Sequence, residues 1–192
     1  MSDRLLFLAR HGETDWNRER RIQGWTDVPL NAEGFRQAQA LAETLRPLRP
    51  RRVFVSDLQR SRQTGEVVSQ ILGLPLVIDH RLREVHRGEL DGYLVDIARV
   101  QFPEFFQEWE RRPYDARPPG GESARDAEGR VRQFLQDWWP CLDHAVIIGH
   151  RLLNLVFHHL LVEPVDQPQV FFAQRMNNGE VRTLRLPPAP PS

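Results

Sequence analysis

The chain has 192 residues, 40% hydrophobic and 27% charged, the make-up of an ordinary globular protein able to bury a core without staples. Its 26 positive residues, every one of them Arg, balance 26 acidic ones, so no overall field draws it toward DNA or RNA. A single Cys, Cys141, excludes an internal disulfide and a Cys-rich zinc site, and no apolar run reaches the roughly 18 residues of a membrane-crossing helix.

Residues 5–9 form a short continuous apolar run, the pattern of a buried parallel strand. The start of the chain lacks the longer apolar stretch and small-residue cleavage site of a signal peptide, and a cytoplasmic location is the expectation. Residues 10–30 are polar, with Gly12, Gly24 and Pro29, and read as a long loop; loops of that length in a compact domain are usually functional. Asn31 opens a helix running to about Leu45, with Phe35, Ala38, Leu41, Ala42 and Leu45 at helical spacing. A second strand follows at 52–55. Ser56 or Asp57 then caps a helix through about Leu72, which Gly73 ends. Residues 76–78 read as a third strand. Residues 84–122 are irregular, with one helical stretch at about 96–111 and a Pro- and Gly-rich loop at 112–121. A helix over about 123–139, a strand at 145–148 and a helix at about 152–161 come next. Residues 170–186 hold two strand-like stretches about Asn177-Asn178-Gly179, a hairpin-type turn, and 187–192 form a Pro-rich disordered tail. Strands alternating with helices predict an α/β fold with a largely parallel sheet.

Two polar clusters share one context. The first strand ends at Arg10-His11-Gly12 and the fourth at Gly149-His150. Ligands of open α/β sheets bind at the carboxyl ends of the strands, so the two His converge there. Arg60 sits one turn into the helix after the second strand, and a helix N-terminus at that edge favours an anion. Two Arg, two His and a helix end make a pocket for a dianionic phosphate. Singly, each has a bland reading: a His after a strand packs, and an Arg in a first helical turn is solvated.

The segment Leu8-Ala9-Arg10-His11-Gly12-Glu13-Thr14-Asp15-Trp16-Asn17 resembles the signature of the histidine phosphatase superfamily, which includes cofactor-dependent phosphoglycerate mutases and many small phosphatases. Gln23-Gly24, Pro29 to Gly34, Ser56 to Thr64, Arg83-Glu84 with Gly88 and Gly92, Pro119 to Ser123, and Ile148-Gly149-His150 extend the likeness over nearly the whole chain. The resemblance implies a three-layer αβα sandwich with a mostly parallel central sheet and a small helical cap. The domain spans 1–186 and its cap insertion about 84–122. It also implies a phosphohistidine mechanism without metal or cofactor. His11 is the nucleophile, Arg10, Arg60 and His150 hold the phosphoryl oxygens, and Glu84 moves the proton of the leaving group. Asn17, Gln23, Gly24, Arg87, Arg111, Arg112 and Arg151 are the substrate-binding candidates, with Trp16 and Thr26 at the mouth.

Some positions depart from the pattern. Arg151 stands where relatives carry Gly, Asn154 lies further on, and Val85 and Arg87 replace the Arg and Tyr that mutases place after the acid. The run from Trp109 to Asp115 echoes a mutase segment whose paired Arg clamp a carboxylate, here Arg111 and Arg112; a solvated helix end is the plainer reading. Mutases are longer and exclude water with added segments, so a phosphatase acting on small phosphomonoesters is the expectation. A mutase is the runner-up, and an inert phospho-ligand-binding module is third. No nucleic acid or membrane partner is expected; the protein is a monomer or homodimer, with Phe102, Phe105, Phe106 and Trp109 closing a cap rather than a dimer face. Cys141, His80, His86, His144, His158 and His159 have no ligand-spaced partners, though His86 is near enough to Glu84 to line the pocket.

Overall fold

The structure is a computed structural model describing residues 4–191, so Met1 to Asp3, the approach to the first strand, and Ser192, the end of the expected tail, fall outside it. In chain order the elements are β1 (Leu5–Arg10), α1 (Asp15–Arg18), α2 (Ala32–Leu45), β2 (Arg52–Val55), α3 (Gln59–Leu72), β3 (Leu76–Ile78), α4 (Val95–Gln101), α5 (Pro103–Arg111), α6 (Ala124–Trp138), β4 (Ala145–Gly149), α7 (Arg151–Leu161), α8 (Pro168–Ala173) and β5 (Val181–Arg185).

The five strands form one sheet in the order β3-β2-β4-β1-β5, parallel except for β5, which runs antiparallel along β1. Because strand side chains alternate between faces, β1 feeds two cores. Phe7 and Ala9 pack with Leu41, Ala42 and Leu45 of α2 and Val68 of α3. Leu6 and Leu8 pack on the other face with Val131, Phe134 and Leu135 of α6 and Leu153, Val156 and Phe157 of α7. This is the expected three-layer αβα architecture. Burying a large apolar side chain contributes about 1.5–3 kcal/mol, so the fully buried Phe7, Phe54, Phe134 and Phe157 are strong determinants of it.

The β1–β4 register sets the site. Arg10 lies opposite Gly149, so His11 and His150 leave the sheet side by side, and the His11 amide donates to Gly149 O at 3.1 Å. The turn after His11 lies directly against the first turn of α2. A Cβ on Gly12 would sit 2.4 Å from Gly34 O, and one on Gly34 2.2 Å from Glu13 O, so backbone meets backbone where side chains would not fit.

The local structure departs from the sequence reading in several places. The long loop contains α1, opened by a capping box between Thr14 and Asn17. Helix α3 starts at Gln59 with no side-chain cap, because Ser56 and Asp57 are used elsewhere: Ser56 Oγ lies 2.8 Å from His150 Nε2, and Asp57 pairs with Arg83 at 2.5 Å. The single helix expected over 96–111 is two, broken at Phe102, whose following proline disfavours helical backbone. The hairpin expected over 170–186 is absent. Pro168 starts α8 instead, and the one strand, β5, pairs with β1 rather than with a hairpin partner. Residues 187–191 carry neither helix nor strand, and no helix of the described residues is long and apolar enough to cross a membrane. Leu90, Ala98, Phe105, Phe106 and Ala116 form a small core of their own beside the larger ones.

Candidate active site

A cleft of about 510 Å³ opens at the carboxyl end of the sheet. It is lined by Arg10, His11, Arg60, Glu84, Leu152 and Asn178, with Arg87, Val95, Arg99, Phe106 and Trp109 from residues 84–122. Phe106 and Trp109 supply aromatic surface to this lining.

His11 is buried, and its Nδ1 lies 2.7 Å from Gly12 O. A carbonyl oxygen only accepts, so Nδ1 carries the proton and Nε2 keeps its lone pair. Burial, followed by the charges of Arg60 and Arg10, holds the His11 pKa well below the ordinary histidine value, so the ring is neutral. His150 is fully buried 5.1 Å away, centroid to centroid, and is likewise depressed, first by burial and then by Arg60. Its Nδ1 has no partner.

Arg60 is the largest fully buried side chain. Its Nη1 donates to Thr26 O at 2.9 Å and its Nη2 to Gly24 O at 2.7 Å, so the 24–26 loop clamps the guanidinium. Thr26 contributes this carbonyl and does not line the cleft. Asp91 holds the loop from the insertion side, accepting from Trp25 N at 3.1 Å. Arg10 Nη1 donates to Met176 O at 2.9 Å. The Nε atoms of Arg10 and Arg60 are buried without partners, and burial pushes both groups down to about 10.

Glu84 sits at the amino end of α7. Its Oε1 accepts from Val85 N, Leu152 N and Leu153 N at 2.8–3.2 Å, and its Oε2 from Leu152 N at 3.1 Å. A carboxylate from a distant loop thus serves as the cap that His150, the N-cap residue, does not provide.

Asn17, Gln23, Gly24, Arg87 and Arg151 all line the cleft with Trp16, Arg151 as an exposed residue at the start of α7. Arg111 and Arg112 do not. They are 76% and 65% exposed at the end of α5, both paired with Glu108. His86 stacks on Trp25 at 4.6 Å and stays out of the cleft. Among the described residues no group of three or more His, Cys, Asp or Glu converges to hold a metal ion; the charge here is carried by guanidinium groups.

A model of the histidine phosphatase superfamily (branch 1) matches residues 6–188. The chain belongs to that family. Among curated relatives, the chain is 40% identical over 130 residues to a probable phosphoglycerate mutase GpmB of Salmonella paratyphi C, a match covering 68% of the chain and 60% of the relative. The chain thus spans about 60% of the length of the curated relatives it matches. Among solved structures it is similar to a mycobacterial glucosyl-3-phosphoglycerate phosphatase complexed with VO3, with a TM-score of 0.83 and 29% identity, covering 94% of this chain and 90% of that one. It is also similar to YhfR of Bacillus stearothermophilus, with a TM-score of 0.82 and 29% identity over 93% of this chain and 89% of that one.

Among the cleft residues that escape a sequence reading are Arg175 and Asn178, both on the segment between α8 and β5. Asn178 Nδ2 donates to His11 O at 3.0 Å, Gly12 O at 3.2 Å and Asn17 Oδ1 at 3.1 Å. Thr14 N also donates to Asn17 Oδ1, at 3.2 Å. With its oxygen so occupied, Asn17 is left with Nδ2 to offer a ligand. The only local signal was the Asn-Asn-Gly turn itself, whose reading as a hairpin pointed away from the site.

Proposed function

We propose that this protein is a phosphomonoesterase that hydrolyses small phosphorylated molecules through a phosphohistidine, without a metal ion. The observation that carries the reading is His11: a neutral imidazole with its proton committed to Gly12 O and its Nε2 lone pair left over, in one cleft with the Arg10 and Arg60 guanidinium groups.

In this reading Nε2 of His11 bonds to phosphorus as the bond to the leaving oxygen breaks. The donors that the fold leaves unused receive the phosphoryl oxygens and stabilise the charge of the transition state: Nε of Arg10, Nε of Arg60 and Nδ1 of His150. Nδ2 of Asn17 joins them. For His150 to donate from Nδ1, the Ser56 hydroxyl donates to its Nε2. Glu84 gives its proton to the leaving oxygen and takes one back from the water that then attacks phosphohistidine, releasing inorganic phosphate and free His11. Oε1 is occupied by three amides, so the moving proton belongs on Oε2. Gln23, Gly24, Arg87 and Arg151 form the surrounding substrate wall.

The Salmonella relatives carry a mutase name, which favours phosphoryl transfer as the second reading. Against it, the Arg pair that would clamp a phosphoglycerate carboxylate lies outside the cleft. The test is hydrolysis of para-nitrophenyl phosphate with release of inorganic phosphate, unaffected by EDTA and abolished in His11→Ala, with acid-stable trapping excluded and acid-labile phosphohistidine seen on quenching. Loss of activity in EDTA overturns the metal-free mechanism. Bisphosphoglycerate-stimulated transfer between positions of phosphoglycerate, without net phosphate release, establishes the mutase. Absence of phosphohistidine with every phosphomonoester tried leaves only a binding module.

A further inference from the structure

Glu84 stands on a stretch without regular structure. Residues 83–87 belong to neither helix nor strand, yet Glu84 and Val85 are buried. The backbone groups of such a segment have no ladder or helical partners, and leaving them unpaired away from water is costly. Three carbonyls here, those of Arg81, Arg83 and Glu84, are taken up by a single side chain, Arg130 of α6.

Arg130 Nη1 donates to Arg81 O at 2.6 Å and to Arg83 O at 2.7 Å. Its Nη2 donates to Glu84 O at 3.1 Å and to Glu122 Oε1 at 2.6 Å. Four terminal N–H groups thus meet four acceptors, a match that suits the planar fork of Arg and exceeds the three donors of a Lys ammonium. Glu122 holds the far side of the same stretch. Its Oε1 also accepts from His86 N at 3.0 Å, and its own amide donates to His86 O at 3.0 Å. Trp25 Nε1 gives Glu84 O a second donor at 2.7 Å.

Arg130 is not among the residues lining the cleft, and its side chain is 18% exposed. It reaches the site through others. Its charge is one of those that lower the His150 pKa, after burial, Arg60 and His11.

We propose that Arg130 is a positioning residue for proton transfer: by fixing the main chain from Arg81 to Glu84 it aims Glu84 Oε2 at the leaving oxygen. The inference rests on the phosphomonoesterase reading, in which Glu84 supplies that proton. The acid is then held at both ends, at Oε1 by the amides of α7 and at its carbonyl by Arg130. Release of one end matters because a misplacement of about 1 Å can cost a reacting group about 10²-fold in rate.

The test compares two phosphomonoesters that differ in their need for an acid. The alkoxide of propyl phosphate leaves only with a proton, whereas the nitrophenolate of para-nitrophenyl phosphate leaves largely without one. Arg130→Met keeps the length of the stem and removes the donors. It should lower kcat/KM for propyl phosphate about tenfold or more, and for para-nitrophenyl phosphate less than about threefold. Glu84→Gln is the reference and should show the same bias, larger. An equal loss on both esters in Arg130→Met, beside a biased Glu84→Gln, overturns the positioning role and leaves a structural one. If Arg130→Met does not fold, Arg130→Lys, which keeps the charge and loses the fork, carries the same comparison. If Glu84→Gln slows both esters alike, or neither ester is hydrolysed, the reading of Glu84 as the acid fails alone. Amide hydrogen exchange then decides whether Arg130 positions Glu84. The Leu152 and Leu153 amides, which the carboxylate covers, should exchange about tenfold faster in the Arg130 variant while those of β4 do not change. Unaltered exchange at Leu152 and Leu153 rejects the inference.

Discussion

The two buried imidazoles couple the site to the stability of the fold. His11 and His150 are neutral in the folded protein, with pKa values well below the ordinary one, chiefly because burial and Arg60 disfavour their charged forms. In the unfolded chain both titrate near 6.5. Above that pH neither state binds the proton and their contribution to stability is complete. Below it the unfolded state binds more protons, so stability falls as pH falls, by up to about 1.4 kcal/mol per pH unit for each His. The melting temperature should therefore drop between pH 7 and pH 5, and His150→Gln should drop less steeply over the same window. Parallel slopes for the two proteins would contradict this origin. In the proposed reaction the same depression keeps the His11 ring neutral, and so able to attack phosphorus, well into mild acid. The residue scale also shows where sequence reasoning reached and where it stopped. His11, His150, Arg10 and Arg60 were legible because short motifs fix them to strand ends and a helix start. Arg111 and Arg112 fall outside the cleft lining, because a local sequence echo says nothing about which way a helix end faces.

At the scale of elements, helix α7 begins without a cap of its own and borrows one from Glu84, 68 residues away from Leu152. The loop that carries the proposed acid is thereby fastened to the helix that follows His150. Replacing Glu84 by Gln puts an amide NH2 group against amide donors and leaves one of them unsatisfied. Beyond its loss of turnover, Glu84→Gln should lose about 1–2 kcal/mol of stability, or roughly 2–8 °C in melting temperature for a chain of this size. A catalytically dead variant that melts with the parent would show that the carboxylate is not the cap. Most elements were readable in advance: four strands as unbroken apolar runs, α2 from Asn31, and α6 from Ser123, whose capping box with Asp126 is present. The exceptions have local causes. Phe102 breaks the α4–α5 stretch ahead of Pro103, and Pro168 turns an expected strand into α8. A partner choice such as β5 with β1 depends on the rest of the sheet and is written in no single segment.

For the molecule as a whole, zero net charge conceals a concentrated field. Cations gather at one end of the sheet, and several lack partners. A bound oxyanion relieves this in the folded state alone, so inorganic phosphate should stabilise the protein. At a concentration about 100 times its Kd the gain is about 2.7 kcal/mol, some 5–10 °C in melting temperature. His11→Ala should retain most of the shift, whereas Arg60→Gln should lose it; a melting temperature indifferent to phosphate would mean the cleft is not an anion site. The sheet order carries one more consequence. Both neighbours of β1 come late in the chain, β4 at Ala145–Gly149 and β5 at Val181–Arg185. While the chain is being synthesised, β1 waits unpaired until β4 and then β5 have been made. Asn178, which secures the backbone of His11 and Gly12, is made between the two. His11 is thus made before the segments that hold it in place, and the cleft takes its shape only as β4 and β5 zip onto β1.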